Sequence, residues 1–100
     1  MRADGEFPSG ENREGVVKPI ILTQHAADSM LERKLRMAWI EAAARQPDWR
    51  VPDPSDPEVE RRYRVIPELD GRVLRLACVE DELTIRVVTA FLDRAARRRK

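Results

Sequence analysis

Three apolar segments in the second half of the chain constrain the fold more than any other feature of the sequence. In each segment apolar residues alternate with polar ones, as expected of strands that bury one face. Asp70-Gly71 is typical of a hairpin turn between the first two segments, and Glu80-Asp81-Glu82 is a polar turn between the last two. The pattern predicts an antiparallel arrangement of three strands: Val59–Ile66, Arg72–Val79 and Leu83–Phe91.

Alternation along these strands assigns their side chains to two faces of a sheet. If Leu69 lies opposite Arg72, and Glu80 opposite Leu83, one face is apolar and covered by helices. We expect this face to carry Tyr63, Val65, Leu74, Leu76, Cys78, Ile85, Val87 and Thr89. The opposite face then carries Arg62, Arg64, Arg75 and Arg86. A row of arginines on a strand face is either a solvated surface or a track for nucleic acid.

The first half of the chain predicts one short strand and two helices. Pro19 begins a run of apolar residues that is a strand candidate, and Thr23 is a suitable N-cap for a helix over 24–34. A second helix is predicted over 37–45, because apolar residues recur there at helical spacing, and Pro47 ends it.

Four of the seven prolines of the chain lie within residues 47–58, which predicts a loop. Trp49 lies inside this segment. We expect its ring to pack the loop against the domain, or alternatively to serve as a stacking surface for a base.

The order of these elements, β-α-α-β-β-β, predicts an α+β fold in which two helices pack on one face of a small antiparallel sheet. Residues 1–17 hold three of the four glycines and many charges, which predicts a disordered arm. A single domain is expected over 18–93, followed by a basic tail over 94–100. We expect one core that contains Met30, Ile40, Leu74, Leu76, Ile85 and Val87.

Composition excludes several kinds of site and partner. With one cysteine and one histidine, the chain lacks the residues of a usual zinc site or an internal disulfide. Its apolar runs are too short for a membrane span or a signal peptide. We therefore expect no metal, no small-molecule cofactor and no membrane partner, and a cytoplasmic location.

The end of the chain is strongly basic although the net charge is only +1. Its cations are Arg94, Arg97, Arg98, Arg99 and Lys100. Such a run is expected to bind nucleic-acid phosphates through salt-sensitive attraction. The alternatives are a solubilising tail and an arm that a partner protein covers.

The only histidine, His25, lies at the start of the first predicted helix. Ser29 and Arg33 follow at i+4 and i+8, so the three side chains share one stripe. A histidine there has a pKa range suited to proton transfer near neutral pH, and an arginine beside it can stabilise charge on a phosphate. The alternative is a histidine that caps the helix or lies on the surface.

The stripe and the last strands together resemble a small uncharacterised bacterial family of domains of unknown function. That family has an H-A-x-x-R-M-x-x-R signature and a final strand similar to V-V-T-x-Y, and is allied to RelE/ParE-type toxins. The residues that carry the resemblance are His25-Ala26, Ser29-Met30, Arg33, Leu35, Gly71–Leu76 and Ile85–Phe91. Ser29 replaces the first arginine of the signature, and Phe91 replaces a residue that is commonly an aromatic hydroxyl.

The resemblance implies a RelE/ParE-like fold and a toxin-like domain whose partners are RNA and an antitoxin protein. It implies metal-independent RNA cleavage, in which the 2′-OH attacks the adjacent phosphorus. His25 would be the acid or base, Arg33 the cation at the transition state, and Thr89 would orient a phosphate oxygen or the imidazole. The residues expected to bind nucleic acid are Arg64, Arg75, Arg86, Arg97, Arg98 and Arg99. The alternative is a non-catalytic, ParE-like or degenerate domain that binds a protein partner.

Overall fold

A computed structural model describes residues 17–96, so most of the predicted arm and the tail beyond residue 96 lie outside the described residues. No helix within 17–96 is long and apolar enough to cross a membrane. The elements are β1 (Ile20–Leu22), α1 (Gln24–Glu32), α2 (Met37–Arg45), β2 (Trp49–Asp53), β3 (Asp56–Ile66), β4 (Arg72–Glu80) and β5 (Ile85–Asp93).

The sheet differs from the predicted one in both size and strand direction. Within 17–96 it has five strands in the order β1-β5-β4-β3-β2, and β1 runs parallel to β5 while the other pairs are antiparallel. The expected RelE/ParE-like fold, with the order β-α-α-β-β-β on an antiparallel sheet, is therefore wrong. The observed order is β-α-α-β-β-β-β on a mixed sheet. No hairpin turn sets the direction of β1, because two helices and three strands separate it from β5 along the chain.

The additional strand, β2, forms where the sequence predicted a loop. Trp49, Val51 and Asp53 are partly buried and alternate with the exposed Arg50 and Pro52, which is the pattern of a strand. Because β2 lies at the edge of the sheet, Pro52 is tolerated although it lacks a backbone N–H.

The core lies between the sheet and the two helices. Leu74, Leu76 and Val87 are fully buried with Ile40 of α2, and Met30 of α1 packs against this cluster. The predicted core residues are thus confirmed. Thr23 caps α1 as predicted, since its Oγ1 accepts a hydrogen bond of 3.1 Å from the backbone N–H of Ala26.

The turn between β3 and β4 is longer than a two-residue hairpin and reverses the predicted faces of β3. A short 3-10 helix, Pro67–Leu69, precedes Asp70 and Gly71, which both have positive φ angles, 57° and 78°. Ile66, rather than Leu69, therefore lies opposite Arg72. A shift of three residues exchanges the faces, because side chains alternate along a strand. Arg62 and Arg64 consequently lie on the helix side, and Tyr63 and Val65 on the opposite side, contrary to prediction.

A second irregularity reverses the predicted face of the end of β5. Cys78 lies opposite Val87, but Ala77 lies opposite Thr89, so Val88 is an extra residue at a β-bulge. Beyond the bulge, Ala90 is buried beside Leu76, and Thr89 and Phe91 point away from the helices. The expectation that Thr89 shares the helix side with His25 is therefore wrong.

Candidate functional site

The sheet surface that faces away from α1 and α2 is the candidate site, and we call it the outer face. Its members follow from alternation with the buried residues of β3, β4 and β5. They are Trp49, Val51, Asp53, Arg61, Tyr63, Val65, Val73, Arg75, Ala77, Val79, Arg86, Thr89, Phe91 and Asp93.

Three aromatic rings and one guanidinium form a continuous row across four strands of the outer face. Trp49 lies opposite Tyr63, Tyr63 opposite Arg75, and Arg75 opposite Phe91. The rings of Trp49 and Tyr63 are stacked, with centroids 5.0 Å apart and planes inclined by 10°. The guanidinium carbon of Arg75 lies 4.3 Å from the centroid of the Phe91 ring, a cation–π contact. We call these four residues the aromatic row.

Carboxylates hold the arginine of the aromatic row and a second arginine of the outer face. Arg75 Nη1 donates to Asp93 Oδ2 at 3.2 Å, and Arg61 Nε donates to Asp53 Oδ1 at 3.0 Å. Hydrogen bonds from Ser55, together with Arg61, hold the pKa of Asp53 below its ordinary value. The pKa of Arg61 is raised by Asp53 and by the neighbouring Tyr63 hydroxyl. Both guanidinium groups are thus fixed in place before any ligand arrives.

The structure does not bring the three predicted catalytic residues together. His25 is exposed in the first turn of α1, and Arg33 is the exposed C-cap of the same helix, 3.5 Å from Glu32. Arg33 follows His25 by eight positions, which corresponds to about 12 Å along the helix axis. Ser29 between them is 5% exposed. Thr89 lies on the outer face, so the sheet separates it from His25 and Arg33.

The predicted nucleic-acid-binding arginines also divide between the two faces. Arg75 and Arg86 lie on the outer face. Arg64 lies on the helix side, where its Nη1 donates to the Gln46 carbonyl at 2.6 Å just beyond the end of α2. Arg97, Arg98 and Arg99 lie outside the described residues.

Arg62, which was expected on the exposed arginine face, is instead 4% exposed and forms a structural network. Its guanidinium donates to Glu60 and Glu80 at 2.7 Å each and to the Ala44 carbonyl at 2.6 Å. A cation at the end of α2 satisfies a carbonyl that has no partner within the helix. Arg62 thus joins α2 to β3 and β4.

The helix side of the sheet also carries a thiol, that of Cys78. It is buried, and burial raises its pKa to about 11. A thiol that stays protonated at neutral pH is a poor nucleophile. No group of side chains able to hold a metal ion occurs within residues 17–96.

The sequence did not predict the aromatic row, because its members come together only through the pairing register of four strands. Residue patterns within a single strand do not determine that register. The Trp-Arg-Val-Pro-Asp segment does alternate between partly buried and exposed residues. In the sequence, the apolar Trp49 and Val51 on either side of Arg50 are a usable signal for β2, although Pro52 and the prolines around the segment favour a loop. The 3-10 turn and the bulge had no comparable signal.

A family model described as Domain of unknown function (DUF4258) matches residues 22–92, which include both α-helices, strands β2 to β4, all but the last residue of β5, and only the last residue of β1. No curated protein and no solved structure matched.

Proposed function

The chain belongs to the DUF4258 family, and we propose that its outer face binds single-stranded RNA. The observation that carries this proposal is the aromatic row, which places Trp49, Tyr63, Arg75 and Phe91 side by side across four antiparallel strands. Tyr63 is 7% exposed, and the other three side chains are partly exposed. Proteins recognise single-stranded RNA by stacking its unpaired bases on aromatic rings and arginine planes.

The arrangement of the row favours stacking over recognition of base edges. Trp49 lies on the edge strand β2, so no strand covers the side of its ring that points away from Tyr63. Phe91 likewise lies beyond the residues of β5 that pair with β1. Arg61 and Arg75 already donate to aspartates, which leaves fewer donors for specific contacts with bases. We therefore expect binding that tolerates many sequences.

Cations elsewhere on the outer face and in the basic run supply the attraction for phosphates. Arg86 is exposed on the same face. The sequence continues from Asp93, at the end of β5, into the basic run that ends at Lys100. Phosphate contacts by such cations strengthen binding without adding sequence preference.

The test compares a tryptophan of the sheet with a tryptophan of the helical layer. Trp49→Ala removes one end of the row, and Trp39→Ala removes a half-buried tryptophan of α2 that contacts Arg36. For a fluorescently labelled ten-nucleotide oligouridylate, Trp49→Ala should weaken binding about 5- to 150-fold, since stacking contributes about 1–3 kcal/mol per base. Trp39→Ala should change the affinity less than twofold in the same anisotropy titration.

Equal effects of the two variants would show that RNA does not use the row. A folded protein that binds no oligonucleotide would favour the alternative, a domain that binds a protein partner. Trp, Tyr and Arg are also the residues enriched at the energetic centres of protein interfaces.

Metal-independent cleavage of the bound RNA is a second candidate function. The observation in its favour is that Arg61, Tyr63 and Thr89 share the outer face, with Arg61 two residues from Tyr63 on β3 and Ala77 opposite both Arg61 and Thr89. A phenol can transfer a proton, and a guanidinium can stabilise charge that develops on a phosphate. Cleavage of labelled RNA in EDTA should then fall at least tenfold in Tyr63→Phe and stay unchanged in His25→Ala. If His25→Ala lowers the cleavage rate and Tyr63→Phe does not, His25 rather than Tyr63 is the catalytic group.

A further inference from the structure

A cavity opens at one end of the sheet, between the β3–β4 turn and the end of β5. Its volume is about 450 Å³, and it is lined by Asp70, Gly71, Arg72, Val73, Asp93, Arg94 and Ala96. This volume lies in the range of small-ligand sites, about 300–1,000 Å³. The cavity is distinct from the aromatic row and is used by no function described above.

Two charged side chains of this cavity have no partner of their own. The side chains of Asp70 and Arg72 are exposed and make no hydrogen bond or ion pair in the described chain, whereas Arg61 and Arg75 of the outer face are held by aspartates. The cavity therefore offers one guanidinium and one carboxylate that remain available to a ligand.

The cavity borders the outer face through Val73 and Asp93, whereas Arg72 lies opposite Ile66 at the start of β4, on the helix side. Val73 and Asp93 lie opposite each other, two residues along β4 and β5 from Arg75 and Phe91. Two residues of strand span about 7 Å, so the last members of the row and the cavity are immediate neighbours. Asp93 contributes to both, since it lines the cavity and accepts from Arg75.

We propose that this cavity binds a phosphorylated terminal nucleotide of the RNA. The inference rests on the proposed function, and it adds a site for the end of the strand beside the site for its bases. The free guanidinium of Arg72 would bind the terminal phosphate, because arginine donates two parallel hydrogen bonds to phosphate oxygens. The Asp70 carboxylate accepts hydrogen bonds only, which suits ribose hydroxyls.

The experiment titrates the ¹⁵N-labelled full chain with uridine 5′-monophosphate and with uridine, and follows the backbone amides by NMR. The monophosphate should shift amides of residues 70–73 and 93–96 and bind at least tenfold more tightly than uridine. Arg72→Ala should weaken binding of the monophosphate about tenfold. Arg45→Ala removes an equal charge from the end of α2, which does not line the cavity, and should leave this affinity unchanged.

A second variant fills the cavity rather than removing a charge. Ala96→Phe should abolish binding of the monophosphate, yet leave the affinity for an oligouridylate without terminal phosphates within twofold of the original. The same oligouridylate reports on the aromatic row through Trp49→Ala.

Each outcome separates the two proposals. If the monophosphate and uridine bind equally, or if Arg72→Ala and Arg45→Ala have equal effects, the cavity proposal is overturned while binding at the row stands. If the oligouridylate does not bind but the monophosphate shifts the cavity amides, the proposed function fails and the cavity is a site for a free nucleotide.

Discussion

The two faces of the sheet use the same residue type for opposite purposes. On the helix side, Arg62 is 4% exposed and its guanidinium has three acceptors within 2.7 Å. On the outer face, Arg75 has one carboxylate partner at 3.2 Å and lies over an aromatic ring. A buried charge must satisfy most of its donors within the protein, whereas a partly exposed one keeps some for solvent or a ligand.

This difference teaches that an arginine on a strand does not by itself indicate a nucleic-acid surface. Arg62 and Arg64 both donate to carbonyls at the end of α2, at 2.6 Å. Their role is to join a helix to the sheet. The outer face combines fixed arginines with rings that no helix covers, and this combination is what favours binding.

The largest effect on stability is expected from the apolar centre of the helix side. Leu76 lies on β4, and its side chain is fully buried beneath the helices. Leu76→Ala should lower the free energy of unfolding by about 2–5 kcal/mol, because it removes apolar contacts and leaves a cavity. Urea denaturation measures this change. A loss below about 0.5 kcal/mol would contradict the position of Leu76 in the core.

A matched pair of arginine variants tests the comparison of the two faces directly. Arg62→Ala removes a hydrogen bond from Glu60, from Glu80 and from the Ala44 carbonyl, and should cost about 1–3 kcal/mol of stability. Arg75→Ala removes a partly exposed ion pair and a ring contact, and should cost less than about 1 kcal/mol. If urea denaturation gives Arg75→Ala the larger loss, the division into a structural and a binding arginine is wrong.

The smallest effect is a pH dependence that arises from the Arg62 network. Partial burial opposes the charge on Glu80, but hydrogen bonds from Lys18 and Arg62 outweigh it, so its pKa lies below the ordinary 4.5. A carboxyl whose pKa is lower in the folded state stabilises the protein above the unfolded pKa, and this contribution is lost as the pH falls through the folded value. Glu80→Gln should therefore be less stable than the original protein at pH 7, and the difference should shrink below about pH 4.5.

The control for this prediction is Glu58→Gln, which removes an exposed carboxylate at the β2–β3 end of the sheet. Its stability should parallel that of the original protein from pH 7 to pH 3. A difference for Glu80→Gln that stays constant over the same range would show that Glu80 makes no charge-dependent contribution.

The site could be predicted only in part, because its residues depend on long-range register. Arg75 and Arg86 were assigned to the face opposite the helices, where the structure places them. Tyr63 was assigned to the wrong face, and Trp49 to a loop, although both belong to the aromatic row. The convergence of His25, Arg33 and Thr89 required the last strand to alternate without interruption, and Val88 breaks that alternation.

The sequence by itself determined the local elements and the core. Thr23 as a cap, the helix over Met37–Arg45 and the buried Leu74 and Leu76 follow from hydrogen-bonding groups and periodicities that lie within a few residues of one another. Only the tertiary structure decided which side of the sheet each later residue occupies. The physical reason is that a register shift by an odd number of residues, at a turn or a bulge, exchanges the two faces of the strand that it displaces. Strand β2 and the parallel β1–β5 pair were likewise decided by partners distant in sequence, and these partners assemble the outer face.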